Sequence, residues 1–172
     1  MVDAWTLNMN DCAETDRAWM LVALDEGVKA RSAGEVPIGA CMVNDKGELL
    51  AAASNRTITD CDPTAHAEMV VLRMAAELVG NYRLAGTTIY STIEPCAMCA
   101  GALVNARVKR LVYGADDERF GGVKTHFGIG LTDALNHRLE VESGVMADEC
   151  RTLIQEFFRT KRLALDNKRS NL

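Results

Sequence analysis

Long apolar runs, repeats and low-complexity linkers are missing from this 172-residue sequence. No run approaches the roughly 18 apolar residues of a membrane-spanning helix, so no membrane association is expected. Residues 1–10 lack the basic start, apolar stretch and small residues of a secretory signal, and the expected location is the cytoplasm. The length suits one domain with a sizeable core. We therefore predict a single domain over residues 1–172, with its core at about 14–163 between a short irregular N-terminus and a basic C-terminal tail.

Closely spaced cysteines and histidines are also scarce. Of six cysteines, only Cys96 and Cys99 are close in sequence, and histidine occurs only at 66, 126 and 137. A cytoplasmic chain of this size does not need disulfides, so the close pair is expected to bind a metal or to be redox-active. The lack of a second Cys-x-x-Cys pair excludes a closed four-cysteine zinc site. The other four cysteines are expected to be reduced structural thiols.

Positive charge is in deficit, since the formal net charge is −5. This argues mildly against a polyanionic partner, because phosphate contacts need Lys and Arg. Residues 151–172, however, contain six basic and two acidic residues. That tail is either a solvated helix face or part of a surface that contacts phosphates. The other candidates for such a phosphate-contacting surface are Arg83, Arg107, Lys109, Arg110, Arg119 and Lys124.

Hydrophobic spacing and turn residues predict alternating helices and strands. Helices are expected from about Thr15 to Gly34 and at about 65–79, 96–105 and 147–163. Strands are expected at 37–43, 48–53, 87–92 and 108–114, with a short one at 138–142, whereas 116–134 has no readable periodicity. This alternation predicts an α/β fold, a three-layer α-β-α sandwich with helices on both faces of one sheet.

Two short motifs carry the candidate chemistry, His66-Ala67-Glu68 and Pro95-Cys96-Ala97-Met98-Cys99. Cys96 and Cys99 lie three apart at a predicted helix start, so both sulfurs share nearly one face and the helix N-terminus favours their thiolates. With His66 they supply three protein ligands for Zn²⁺, and the fourth position is left for water, as in catalytic zinc sites.

Glu68 lies two residues after His66, near the predicted metal, and is the candidate catalytic proton carrier. Each motif alone has a simpler interpretation, a thiol redox pair for the cysteines and a surface helix start for His66 and Glu68. In this order and with proline before the first cysteine, they match the H-x-E…P-C-x-x-C signature described for zinc-dependent nucleobase deaminases. We therefore predict a zinc-dependent hydrolase that removes an amino group from a nucleobase.

Longer stretches of sequence indicate one branch of these deaminases. The sequence resembles the bacterial tRNA adenosine deaminases, which convert the wobble adenosine of an anticodon to inosine. The resemblance covers about residues 35–162, and its matching stretches are EVPIGA at 35–40, DPTAHAE at 62–68, NYRL at 81–84, EPCAMCAGA at 94–102, NHR at 136–138 and FFR at 157–159.

The resemblance implies a cytidine-deaminase-like fold with a five-stranded mixed sheet, and a homodimer whose partner completes a groove for the tRNA anticodon stem-loop. It also implies that Asn55 contacts the base, that Val36, Ala67 and Ile93 line the pocket, and that Asp117 lies near the ribose of a neighbouring nucleotide. From the residues alone, Asn55 is equally a turn residue, Asp117 a solvated carboxylate, and Asn136 with His137 a structural pair.

The loop at 119–125 departs from the family pattern. Phe120 stands where the family has a small hydroxyl residue, and Lys124 stands where it has a glycine. Relatives that act on free guanine, cytosine or similar small rings share the zinc core, so a free nucleobase or nucleoside deaminase is the alternative. A non-catalytic zinc-binding or nucleic-acid-binding module is a third possibility, which Glu68 disfavours because such a module needs no proton carrier.

Overall fold

Helices and strands alternate along the computed structural model, which describes the backbone of residues 4–170 and the side chains of residues 12–164. The elements are α1 (Ala4–Ser32), β1 (Gly39–Val43), β2 (Leu49–Ser54), α2 (Ala67–Val79), β3 (Thr88–Ile93), α3 (Ala97–Asn105), β4 (Arg110–Ala115), β5 (Glu140–Ser143) and α4 (Ala147–Ser170).

The five strands form one mixed sheet in the order β2-β1-β3-β4-β5. β1 is antiparallel to both β2 and β3, whereas β3, β4 and β5 are mutually parallel. The predicted hairpin closes through Asn44, whose side-chain oxygen accepts hydrogen bonds from the backbone N–H groups of Lys46 and Glu48. The expected five-stranded mixed sheet is confirmed.

Buried side chains lie on both faces of the sheet, because alternate residues of a strand point to opposite sides. On β1, Ala40 and Met42 join the cluster under α2 and α3, while Cys41 and Val43 join the cluster under α1 and α4. Helices therefore cover both faces, and the predicted three-layer α-β-α sandwich is confirmed.

Two terminal expectations need correction. We expected residues 1–12 to be irregular, but α1 begins at Ala4, and of this segment residues 1–3 lie outside the described chain. Helix α4 continues to Ser170 instead of ending near residue 163. Neither 4–12 nor 147–170 contains glycine or proline, so neither segment holds a residue that strongly disfavours a helix.

Segment 116–134 contains no helix or extended strand, only an isolated bridge between Gly121 and Cys96. Across the described range, no helix is both long and apolar enough to cross a bilayer. The parallel strands β3 and β4 end side by side, with Ile93 opposite Ala115. This end of the sheet carries the candidate site.

Candidate zinc centre and active site

Two helix N-termini bring the predicted metal ligands together. His66 is the N-cap of α2 and Cys96 is the N-cap of α3, and neither side chain makes a capping hydrogen bond. Both helices pack on the same sheet face through Val71, Leu72, Leu103 and Val104. The shared core therefore aligns the two N-termini and leaves the ligand side chains free to face each other.

The donor atoms have the separations that tetrahedral zinc requires. His66 Nδ1 lies 3.7 Å from Cys96 Sγ and 3.6 Å from Cys99 Sγ, and the three donor atoms all lie within 4.8 Å of one another. Zinc–sulfur bonds of about 2.3 Å and zinc–nitrogen bonds of about 2.0–2.1 Å at a tetrahedral angle place nitrogen and sulfur about 3.6 Å apart. The histidine and the two cysteines thus fit a zinc ion.

Electrostatics favour a cation at the same point. A hydrogen bond from the Cys99 thiol, aided by the His66 imidazole, lowers the pKa of Cys96 to about 4. Donating that hydrogen bond, together with burial, raises the pKa of Cys99. Cys96 is thus a thiolate at neutral pH, and a dication at this position would displace the remaining thiol proton, as metal binding to cysteine generally does.

Glu68 lies in the first turn of α2 and is 2% exposed. Its Oε2 is buried and has no hydrogen-bond partner among the described residues. Desolvation raises the pKa of this carboxyl to about 7. A buried polar atom without a partner is uncommon and calls for an explanation, and a carboxyl group able to gain or lose a proton near neutrality suits general acid–base chemistry.

The residues expected to line the pocket collect around the end of β3 that leads to Cys96. Ile93 is the last residue of β3, and β1 runs antiparallel beside it, with Ala40 opposite Ser91. Val36 therefore lies just beyond the adjacent end of β1. Asn55 follows β2 and donates its backbone N–H to the carbonyl of Ile38. Ala67 is fully buried as the first residue of α2.

Asp117 lies at the same end, two residues after β4, and is partly buried. Its Oδ1 accepts hydrogen bonds from the backbone N–H groups of Arg119 and Phe120, at 3.0 and 3.1 Å. This carboxylate therefore shapes its own loop, and its second oxygen is the one left for a ligand.

The sequence matches the family described as "Cytidine and deoxycytidylate deaminase zinc-binding region" over residues 13–115. It is 43% identical to the tRNA-specific adenosine deaminase of Haemophilus influenzae over 150 residues, which is 87% of each protein. It is also 43% identical to the tRNA-specific adenosine deaminase of Bacillus subtilis over 157 residues, 91% of this chain and 97% of that relative. The chain belongs to the tRNA-specific adenosine deaminase family.

Solved structures agree on the fold. A structure from work on A-to-I editing by tRNA:A34 deaminases superposes with a TM-score of 0.76 at 42% identity, over 79% of this chain and 98% of that chain. The guanine deaminase of Nitrosomonas europaea has the same fold at 24% identity, with a TM-score of 0.70 over 82% of this chain and 83% of that chain.

Sequence reasoning missed Glu35, which organises one wall of the deaminase site. Glu35 is 1% exposed, and its Oε1 accepts hydrogen bonds from the backbone of Ile58 and Thr59 at 2.9 and 2.7 Å. Its Oε2 accepts from Asn55 Nδ2 at 3.1 Å, and Thr57 Oγ1 lies 3.3 Å from the same amide nitrogen. Asn55 is 4% exposed, and its amide hydrogens are committed internally, so Oδ1 is the atom it can offer a substrate.

Glu94 plays the corresponding part on the other side and was also missed. It is 1% exposed, and its Oε1 accepts backbone hydrogen bonds from Val123, Lys124 and Thr125 at 3.1, 2.7 and 2.9 Å. Its Oε2 accepts from the backbone of Asp117 and from the Thr125 hydroxyl. One carboxylate at the end of β3 thus fixes the loop that follows β4 beside Cys96.

The glycine pair in that loop, Gly121 and Gly122, lets the loop approach the start of α3 closely. A Cβ at Gly121 would clash with Glu94 Oε2, and one at Gly122 would lie 2.6 Å from the backbone nitrogen of Ala97. Only glycine permits this approach of the loop to the start of α3. A Gly-Gly dipeptide inside an otherwise unreadable segment marks such a contact.

Some other candidates serve structure instead. His137 Nε2 lies 2.6 Å from the carbonyl of Val108, and the Asn136 side chain accepts a hydrogen bond from Arg107. Arg107 and Val108 precede β4, and Asn136 and His137 precede the parallel strand β5. All four therefore lie at the end of the sheet opposite the zinc centre. Arg110 is paired with Asp16 through two hydrogen bonds of 2.7 Å, so it is not free to bind phosphate.

All six cysteines are unpaired by disulfides. Burial raises the pKa of Cys41 and of Cys150 to about 12, which makes both thiols unreactive. These two occupy the structural positions expected of them, whereas Cys12 and Cys61, which were also expected to be structural, are exposed.

Proposed function

We propose that this deaminase converts adenosine to inosine by zinc-dependent hydrolysis at the wobble position of a tRNA anticodon. The observation that carries the proposal is the His66, Cys96 and Cys99 cluster beside the buried carboxylate of Glu68. The family supplies the substrate, because the relatives that match most of the chain are described as tRNA-specific adenosine deaminases.

The reaction consumes water and releases ammonia. His66, Cys96 and Cys99 would hold zinc, which when bound acts as a Lewis acid that makes water a better nucleophile. Glu68 takes one proton from the attacking water and passes it to the ring nitrogen of adenine. It then takes the second proton from the hydroxyl group now on the tetrahedral carbon and gives it to the amino group, so that a carbonyl forms as ammonia leaves. Its buried position keeps bulk water from competing as the proton donor.

The base would be positioned by groups that face the same end of the sheet. Ala67 is the first residue of α2, and N–H groups of the first helical turn have no intrahelical acceptor, so its N–H can donate to the base. Asn55 Oδ1 can accept, because its amide hydrogens are held by Glu35 and Thr57. In this proposal Val36 and Ile93 would supply apolar walls, and Asp117, at the same end of the sheet, would contact the ribose of a neighbouring nucleotide.

A homodimer is the assembly we propose for this enzyme. Helix α2 exposes Met74, Leu78 and Val79, which are 45%, 65% and 48% accessible. Three large apolar side chains on one helix form the kind of surface that a protein partner covers.

A cytoplasmic location is also proposed. A tRNA substrate fits the cytoplasmic location expected from the sequence.

The deciding experiment measures ammonia release by the zinc-loaded enzyme. The substrates are an anticodon stem-loop with adenosine at the wobble position, the same stem-loop with guanosine there, and free adenine, guanine, cytosine and their nucleosides. We expect turnover of the adenosine stem-loop alone, with inosine as the product. The rate at limiting substrate should also fall by about tenfold or more between 50 and 200 mM salt if some three phosphates are contacted.

A free-base deaminase is the competing proposal. It is favoured by the guanine deaminase of Bacillus subtilis, whose structure matches 58% of this chain and 63% of that chain at 37% identity, with a TM-score of 0.55. Turnover of free guanine or cytosine with little salt dependence, and none of the stem-loop, would establish that function and overturn the tRNA proposal.

A further inference from the structure

The side chains of two phenylalanines are exposed to solvent beside the zinc centre. Phe120 and Phe127 are 67% and 68% accessible, whereas phenylalanine is usually buried. They line a cavity of about 490 Å³ together with Arg119, His126, Met98, Ala97 and Cys96. Because Cys96 is also a proposed zinc ligand, this cavity adjoins the candidate zinc centre.

The loop that presents these rings is held in place by hydrogen bonds. Asp117 Oδ1 accepts from the backbone of Phe120, and Glu94 fixes the backbone at 123–125. His126 Nε2 lies 3.0 Å from the carbonyl of Glu118, and its ring lies 5.9 Å from that of Phe127 at an angle of 55°. The exposed rings therefore stand on an ordered support, which lowers the entropic cost of binding.

Unpaired nucleobases are the ligands that suit such a surface. They stack on aromatic rings and on the guanidinium plane of arginine, and this stacking tolerates any base. An enzyme that acts on a base in an RNA loop must extrude that base, which leaves the neighbouring bases without their stacking partner. The exposed Arg119 can in addition pair with a phosphate of the same strand.

We infer that Phe120, Phe127 and Arg119 form a stacking site for an unpaired base next to the target nucleotide in RNA. This inference rests on the proposed function, since it requires an RNA substrate.

The test measures stem-loop binding by zinc-loaded protein in which Glu68→Gln slows turnover. The RNA carries 2-aminopurine in place of the base on either side of the target, so that stacking quenches its fluorescence. Adding Phe120→Ala or Phe127→Ala should weaken binding by roughly 5- to 150-fold, the range for losing one stacked base, and should abolish the quenching at one flanking position. Phe120→Tyr should retain both properties, whereas Phe120→Leu, which has no ring, should lose them.

Leu49→Ala is the matched control. Leu49 is 48% exposed and lies opposite Val43, at the end of the sheet away from the zinc centre. A second discriminator is salt: Arg119→Gln should reduce the slope of log affinity against log salt by about 0.7, while Phe120→Ala should leave that slope unchanged.

Equal affinity and equal quenching in Phe120→Ala, Phe127→Ala and their parent would overturn the stacking site. So would a shift to a smaller species in sedimentation velocity for these variants, because it would show that a second copy of the chain covers the rings. The proposed function is tested in a separate experiment, with enzyme that retains Glu68. Turnover of the adenosine stem-loop by that enzyme would uphold it even where the stacking site fails, and absence of stem-loop binding by the parent would overturn both.

Discussion

Glu68 and His66 lie two residues apart, but His66 is expected to bind the metal and Glu68 to carry protons. The substitution Glu68→Gln distinguishes these two roles. The substitution keeps the size of a side chain that is 2% exposed but removes its ability to carry a proton. We expect deamination to fall by about 10²- to 10⁴-fold, the usual contribution of a general acid–base group. Metal analysis of the purified variant should show the same zinc content as the unaltered enzyme. Loss of zinc together with activity would contradict this role and make Glu68 a ligand.

Cys96 is expected to bind the metal, and Cys96→Ala tests this. We expect the variant to be purified with far less zinc and to unfold at a lower temperature, because metal binding contributes to folding free energy. A chelator should lower the unfolding temperature of the unaltered enzyme but leave that of the variant unchanged. Cys12→Ala is the control, since Cys12 is an exposed thiol in α1. Full zinc occupancy in Cys96→Ala would contradict the ligand assignment.

The sequence predicted the residues whose chemistry depends on a fixed local spacing. Spacing at a helix start keeps His66 near Glu68 and Cys96 near Cys99. The order of the two motifs, with proline before the first cysteine, matches the deaminase signature and so linked them across thirty residues. Glu35 and Glu94 were missed because many of their partners are backbone N–H groups more than 20 residues away in the chain. Any residue supplies a backbone N–H, so no pattern of residue types records these contacts.

At the scale of an element, the segment 55–59 depends on one buried carboxylate. Glu35→Gln should lower the free energy of unfolding by about 2 kcal/mol at pH 7, because hydrogen bonds to a charged group are replaced by weaker ones. Desolvation raises the pKa of Glu35, but hydrogen bonds from Thr59, Ile58 and Thr57 outweigh it and hold the pKa below the ordinary 4.5. The carboxylate therefore stabilises the fold above the unfolded pKa, and this contribution is lost as the pH falls through the folded pKa.

Urea unfolding at a series of pH values measures this effect. The difference between the unaltered enzyme and Glu35→Gln should be largest at pH 7 and should shrink as the pH is lowered below 4.5. Glu48→Gln is the control, since Glu48 is exposed and accepts only a surface hydrogen bond from Asn44. A difference that is independent of pH, or equal to that of Glu48→Gln, would show that the hydrogen bonds to Glu35 contribute no stability.

Regular elements were predictable because their periodicity is local, and the loops were not. The five strands and the centres of all four helices in the described chain lie where hydrophobic spacing placed them. Segment 116–134 lacked a signal because its conformation is set by contacts with Glu94 and with the start of α3. The bend of this loop therefore follows from tertiary packing and not from its own residue preferences.

For the molecule as a whole, a net charge of −5 must be reconciled with an RNA substrate. Some of the basic residues considered for phosphate binding are engaged elsewhere, Arg110 by Asp16 and Arg107 by Asn136. Arg119 and Lys124 remain exposed in the loop beside the zinc centre, although Lys124 donates a hydrogen bond to Ser143. Attraction of RNA would then be local to the site, where a few cations act within a Debye length of about 10 Å.

Assembly is the remaining property of the whole molecule, and Leu78→Asp tests the proposed homodimer. Leu78 is 65% exposed on α2, and a carboxylate at that position would be buried without a partner if a second copy packs there. We expect sedimentation velocity to show a dimer for the unaltered enzyme and a monomer for Leu78→Asp at the same micromolar concentration. Leu21→Asp is the control, because Leu21 is 52% exposed on α1, across the sheet from α2.

A monomeric unaltered enzyme would refute the dimer. A dimer that tolerates Leu78→Asp would place the interface on another surface. If the partner completes the RNA groove, the monomeric variant should also lose stem-loop deamination while retaining its zinc.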